Sequence, residues 1–219
     1  MPRPVPPVTA DEFSGEERKL YEQITQISMH GIPIEKFRLN AWMGSLLYWP
    51  EYTKNRMELS RLLLTIPERP GSYSHADREW ADMVLSTHLN TNVVMRTHLA
   101  DAIGAGVRAD AIAAIRSGNE DELTTNEKLL ADFCRQIVDG KVTDQSFEAV
   151  EEYMGTRATV EYVIFVTCLD ATMRQMQAFG SDAPTDEEVD TWVREYQDGT
   201  RGAPDDWRSR ALNAEPAAA

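Results

Sequence analysis

At several points along the chain a Ser or Thr is followed three residues later by an acid and then by apolar residues at helical spacing, among them Ser74 with Asp77, Thr124 with Glu127 and Thr185 with Glu188. A hydroxyl at that position accepts from the amide three residues on, and the acid reaches back to the free amide of the cap. Each pair therefore predicts a helix start. The runs that follow carry Trp80, Met83, Val84 and Leu85; Leu129, Leu130, Phe133 and Ile137; and Val189, Trp192 and Val193. Glycine and proline supply the stops.

The same grammar extends along the whole chain. Helices are expected from Ser14, with Leu20, Ile24 and Ile27 on one face, from Ile34 to Leu47, and from Glu51 to Thr65. Further helices run to about His88, from the polar break at Asn90–Asn92 to Gly104 and Gly106, over Asp110 to Ile115, Asp144 to Met154, and Thr156 to Phe179. No sustained alternating segment and no Asn-Gly turn marks a strand pair. The expected class is all-α, with eight or nine helices in a single domain over residues 14–197. The proline-rich residues 1–13 read as a flexible arm and residues 198–219 as a mobile tail.

A net charge of −14 argues against nucleic acid and against an anionic membrane surface. No apolar run approaches the ~20 residues of a membrane span, so a cytoplasmic protein with no membrane partner is expected. Cys134 and Cys168 lie far apart and outside any C-x-x-C, which argues against a redox dithiol or zinc knuckle. The most apolar stretch, around Val160, Val163, Ile164, Phe165, Val166 and Leu169, needs cover on nearly all sides. That suggests a central helix or a subunit interface, and with it a homodimer or higher homo-oligomer.

Chemistry concentrates on the two helices joined at Asn90–Asn92. With the turn centred on Thr91, Glu79 and His98 differ in height by roughly 7–8 Å in an antiparallel pair. Two long side chains can close most of that if both point to the shared seam. A carboxylate beside an imidazole fixes its tautomer and raises its basicity, which suits proton transfer. The alternative is an exposed Glu and a core or capping His that never meet. His75, Glu79 and Asp82 also share one helical face at ligand-like spacing. His88 reads as an end residue complementing the helix dipole, and His30 has no evident partner. Arg78 and Arg96 could hold a substrate carboxylate in a bidentate fork or simply sit on solvated faces. Thr91 could place a hydroxyl near an anion or serve only as an N-cap. Trp42, Tyr48 and Trp49 could wall a pocket or pack a core.

At this hairpin the sequence resembles the carboxymuconolactone decarboxylase and alkylhydroperoxidase D superfamily. The resemblance covers roughly Ser14 to Gly180, through "HADREWADMVLSTH", "NTNVVMRTHLADAIGAGV" and "EKLLADFCRQIVDGKVTDQSFEAV". Arg78-Glu79, His98 and Gly106-Val107 match the family's spacing of an Arg-Glu dipeptide, a helical His and a closing Gly. The two cysteines of the peroxidase branch are replaced by Thr91 and Val94. With no thiolate there is no nucleophile for peroxide. The resemblance therefore implies the helical bundle of that superfamily and decarboxylase-type chemistry without cofactor or metal, with Glu79 and His98 as the proton-handling pair. Three readings stay open: a cofactor-independent lyase or isomerase acting on a small organic acid, a non-catalytic helical assembly protein, and a metal-dependent hydrolase or lyase using His75, Glu79, Asp82 and His98.

Overall fold

A computed structural model describes residues 6, 8–25, 28–29, 32–33 and 40–200. The chain is all-α. Ten α-helices are present among the described residues: α1 (Gly15–Thr25), α2 (Asn40–Leu46), α3 (Pro50–Thr65), α4 (His75–His88), α5 (Asn92–Gly104), α6 (Ala109–Ser117), α7 (Thr125–Asp139), α8 (Asp144–Met154), α9 (Thr156–Phe179) and α10 (Asp186–Gln197). Beside them stands a two-residue antiparallel ladder, β1 (Ser28–Met29) with β2 (Ile32–Pro33). The expected helix over 34–47 is described only from Asn40. Residues 34–39, Ile27, His30, most of the arm and residues 201–219 of the tail lie outside the described residues.

The capping pairs work as the local chemistry requires. The Asp77 amide donates to Ser74 Oγ at 3.1 Å and the Ser74 amide to Asp77 Oδ2 at 2.8 Å. Thr124 and Glu127 repeat the exchange at 3.3 and 2.8 Å, and the Thr185 amide donates to Glu188 Oε2 at 2.9 Å. Gly118 and Gly140 close α6 and α7 in the left-handed region, at φ of 75° and 67°, where a side chain would be strained. Pro50 opens α3 instead of only ending the helix before it, because its missing N–H is one of the amides a first turn leaves unused.

The chain divides into two compact units. One comprises Met1–Leu64 and Arg174–Asp182, the other Thr65–Met173 and Ala183–Ala219. In the first, the Trp42 indole donates to Gln175 Oε1 at 3.1 Å, and the Gln175 amide donates to the Tyr52 hydroxyl at 3.0 Å.

In the second unit α4 is the central element, with α5, α6 and α7 packed against it and α10 packed on α5. Trp80, Met83, Val84 and Leu85 are fully enclosed. The Trp80 indole donates to the Glu127 carbonyl at 2.9 Å, tying α4 to the start of α7. Tyr73 meets Tyr162 edge to face at 5.5 Å. Each large apolar side chain removed from water in this way contributes ~1.5–3 kcal/mol.

Of the two alternatives for the apolar stretch, a central helix or a subunit interface, the central helix is not what the chain by itself forms. The apolar stretch of α9 is not covered all round within one chain: Val160 and Ile164 stand about half exposed, while Tyr162, Val166 and Met173 are fully buried. The helix is two-faced, with Tyr162 and Val166 one turn apart inside and Val160 and Ile164 one turn apart outside. The sequence hides this because both faces are apolar.

Candidate active site

Helix α4 carries a polar seam through an otherwise apolar surrounding. His75, Glu79, Asp82 and Ser86 recur at intervals of four, three and four residues, which places them on one face. All four are buried, at no more than 3% exposure. Helix α5 returns along that face through a tight connection: Leu89 ends α4, Asn90 takes φ of 51°, and the Thr91 amide donates to the Ser86 carbonyl at 2.9 Å. This turn sets the register that brings His98 over the seam. The offset of roughly 7–8 Å expected from rise per residue is closed by the side chains.

His98 Nδ1 lies 3.0 Å from Glu79 Oε2 and 3.6 Å from Asp82 Oδ2. Glu79 Oε1 in turn lies 3.3 Å from an Arg78 terminal nitrogen. Glu79 and Asp82 are sealed from solvent, whereas about a quarter of the His98 side chain is open. With Nδ1 committed to the carboxylates, Nε2 is the nitrogen left for chemistry.

The protonation states follow from the competition between burial and charge. Burial opposes charge on His98, but Asp82 and then Glu79 outweigh it and raise the imidazole to about 9. Burial pushes Glu79 up, but Arg78 and His98 outweigh it and hold the carboxyl below its ordinary value. On Asp82 burial wins, only partly offset by His98, and the acid is raised to about 6. Burial also opposes the Arg78 charge, yet Glu79 and Asp82 hold it firmly protonated. Two cations and two anions then cancel within the cluster, which is how four charges are tolerated inside a fold.

The remaining candidate residues fall elsewhere. Arg78 is buried on the Glu79 carboxylate, not on a solvated face. Arg96 bonds the Pro184 carbonyl at 2.9 Å and pairs with Asp186 at 2.8 Å, so it fastens the start of α10 to α5 and does not join the cluster. Thr91 is the buried N-cap residue of α5 and its side chain makes no capping bond. Trp42 is buried with Gln175 and Arg56 as neighbours, and the exposed Tyr48 donates to the Pro6 carbonyl at 3.0 Å. Both belong to the other compact unit. His88 bonds Asp139 at 3.0 Å, consistent with an end residue of α4.

No family model, curated protein or solved structure matches the chain.

Sequence reasoning undervalued Asp82. It entered only as a possible metal ligand, although its position three residues after Glu79 already put both acids on the seam that faces α5. The donor atoms of Glu79, Asp82 and His98 lie within 4.8 Å of one another, close enough to share a cation, and His75 is not part of that group. Two features favour a proton in that place. The 3.0 Å contact between Nδ1 and Oε2 is a hydrogen bond that needs one, and Arg78 already supplies positive charge to the same carboxylate.

Proposed function

We propose that the protein is a cofactor-independent lyase or isomerase that transfers a proton to a small carboxylated or enolisable organic acid, with His98 as donor. The carrying observation is the 3.0 Å bond between the sealed Glu79 carboxylate and the partly open His98 ring. Held as an imidazolium, His98 offers the Nε2 proton to carbon or oxygen as negative charge develops there, during loss of carbon dioxide or formation of an enolate. The same positive charge attracts the substrate carboxylate. Glu79 fixes the ring and stabilises its charged form, and Arg78 fixes Glu79.

The test is incubation in deuterated water with a panel of 2-oxo, 3-oxo and unsaturated lactone acids, following hydrogen exchange by proton NMR together with carbon dioxide release. The expected result is turnover of at least one class, reduced at least a hundredfold in His98→Gln. Equal turnover in that variant removes His98 from the chemistry. Activity lost to a chelator and restored by a divalent ion replaces this reading with the metal-dependent one.

A homo-oligomer is part of the proposal. The Val160 and Ile164 face of α9 is the kind of apolar surface that a second copy covers. Sedimentation at micromolar concentration is expected to show a dimer or larger, and a clean monomer refutes it.

A further inference from the structure

A proton occupies the place between Glu79 and His98 in the resting cluster, yet one proton does not serve all the oxygens around it. His98 Nδ1 bonds Glu79 Oε2 at 3.0 Å and stands 3.6 Å from Asp82 Oδ2. Asp82 Oδ2 is sealed from solvent and makes no hydrogen bond among the described residues. Glu79 Oε1 makes none either, although Arg78 stands 3.3 Å from it. Buried carboxylate oxygens without a donor are costly. A single N–H serves one such oxygen well, whereas a metal ion gathers several.

We propose that Glu79 Oε2, Asp82 Oδ2 and His98 Nδ1 form a binding site for a divalent ion of the zinc type, which displaces the proton from Nδ1 and switches the site off. Only the inhibitory sense of the proposal rests on the proton-transfer reading. The three donor atoms lie within 4.8 Å of one another. Donors that share an ion at ~2.0–2.2 Å stand about 3–4 Å apart, so the 3.0 and 3.6 Å separations already suit one. Two donors come from one face of α4 and the third from α5, and the packing of those helices sets them together before any ion arrives. One imidazole nitrogen with two carboxylates is a donor set for zinc and its neighbours; magnesium and calcium take more oxygens. The quarter of the His98 side chain that is open gives an ion its approach.

The charges around the donors admit the exchange. Arg78 opposes a cation from one side of Glu79. Glu79 and Asp82 favour it, and Asp101 on α5 adds a further negative charge that acts on both Asp82 and Arg78. The step balances. Bonds form from the ion to Nδ1 and to one oxygen of each carboxylate, the Nδ1–H bond breaks, the proton leaves to solvent, and no electron is transferred. Nε2 keeps its hydrogen, but the ring is no longer an imidazolium and its remaining N–H is a poor acid. Zinc thus holds the ring in place while removing the proton donor.

The experiment is calorimetric titration of the full chain with zinc chloride near neutral pH, in buffers of different ionisation enthalpy, with magnesium chloride as the contrast. One zinc per chain is expected, with release of one proton, and no binding of magnesium. Nitrogen-15 NMR should show His98 Nδ1 shifting on zinc addition while Nε2 keeps its attached hydrogen. Asp82→Asn and His98→Gln should each weaken zinc at least about tenfold, since even groups behind the ligands are worth that much. His88→Gln with Cys168→Ser, which removes donors elsewhere on the chain, should leave the affinity unchanged. Zinc binding that survives Asp82→Asn, or an unmoved His98 Nδ1, overturns the site. Where an acid of the deuterium panel turns over, zinc should suppress turnover in proportion to its occupancy, and turnover that rises with zinc overturns the inhibitory sense. The binding readouts need no substrate. Failure of every acid in the panel therefore leaves the metal site standing and removes only the catalytic reading.

Discussion

Raising the pH from 6.5 to 9 should cost this protein about 2–3 kcal/mol of stability through His98 alone. The imidazole rises from its ordinary 6.5 to about 9 in the folded chain. At ~1.36 kcal/mol per unit, that difference is about 3 kcal/mol of preference for the folded, protonated state. A group whose value is raised on folding contributes fully below its unfolded value, and the contribution fades as pH climbs through the folded one. Most of it therefore disappears between 6.5 and 9. The other two groups act elsewhere. Asp82, raised to about 6, has lost its contribution before the window opens. Glu79, held low, gives up its contribution only in acid. Denaturant unfolding followed by circular dichroism at a series of pH values measures the loss directly. In thermal melts, for a chain of this size, it corresponds to roughly 5–10 °C. The control is the double variant Glu79→Gln with Asp82→Asn. Without the two carboxylates, burial and the Arg78 charge both lower the affinity of the ring for a proton, so the decline should vanish. A flat wild-type profile over the window, or the same decline in the double variant, refutes the electrostatic account of the site.

Two further outcomes test the frame around it. Glu127 is fully buried, accepts two bonds from Arg108 at 2.9 and 2.7 Å, and caps α7 through the Thr124 amide; Glu127→Ala should lose about 3 kcal/mol by denaturant unfolding, Glu127→Gln should recover the cap, and a loss below about 1 kcal/mol would contradict the arrangement. Cys134 is enclosed and bonded to the Tyr162 hydroxyl, and burial pushes its thiol up to about 12, so an aromatic disulfide reagent should modify Cys168 in the native protein and reach Cys134 only on unfolding; equal rates for both would show that the α7–α9 contact opens readily.

The boundaries of the helices were legible in the sequence because they are set by short-range chemistry. Ser74 with Asp77, Thr124 with Glu127, and the glycines at 118 and 140 act on amides and carbonyls within one turn, so no distant residue is needed to read them. The shared face of Glu79 and Asp82 was legible for the same reason, since helical period alone decides it. The pairing of Glu79 with His98 was open until the turn at Leu89–Thr91 fixed the register of α5 on α4.

Tertiary structure alone decided what those residues carry. Arg78 could have faced water; enclosed on Glu79, it helps to hold that carboxyl below its ordinary value. Arg96 offers the same guanidinium two residues before the histidine, yet Asp186 and the Pro184 carbonyl of a segment 88 residues away take it up. Val160 and Tyr162 are neighbours on one apolar helix, and only the position of the other helices exposes the first and buries the second. The physical reason is range. Caps and periodicity act through hydrogen bonds between residues a few positions apart, whereas protonation and burial depend on dielectric and on charges brought close from the whole chain.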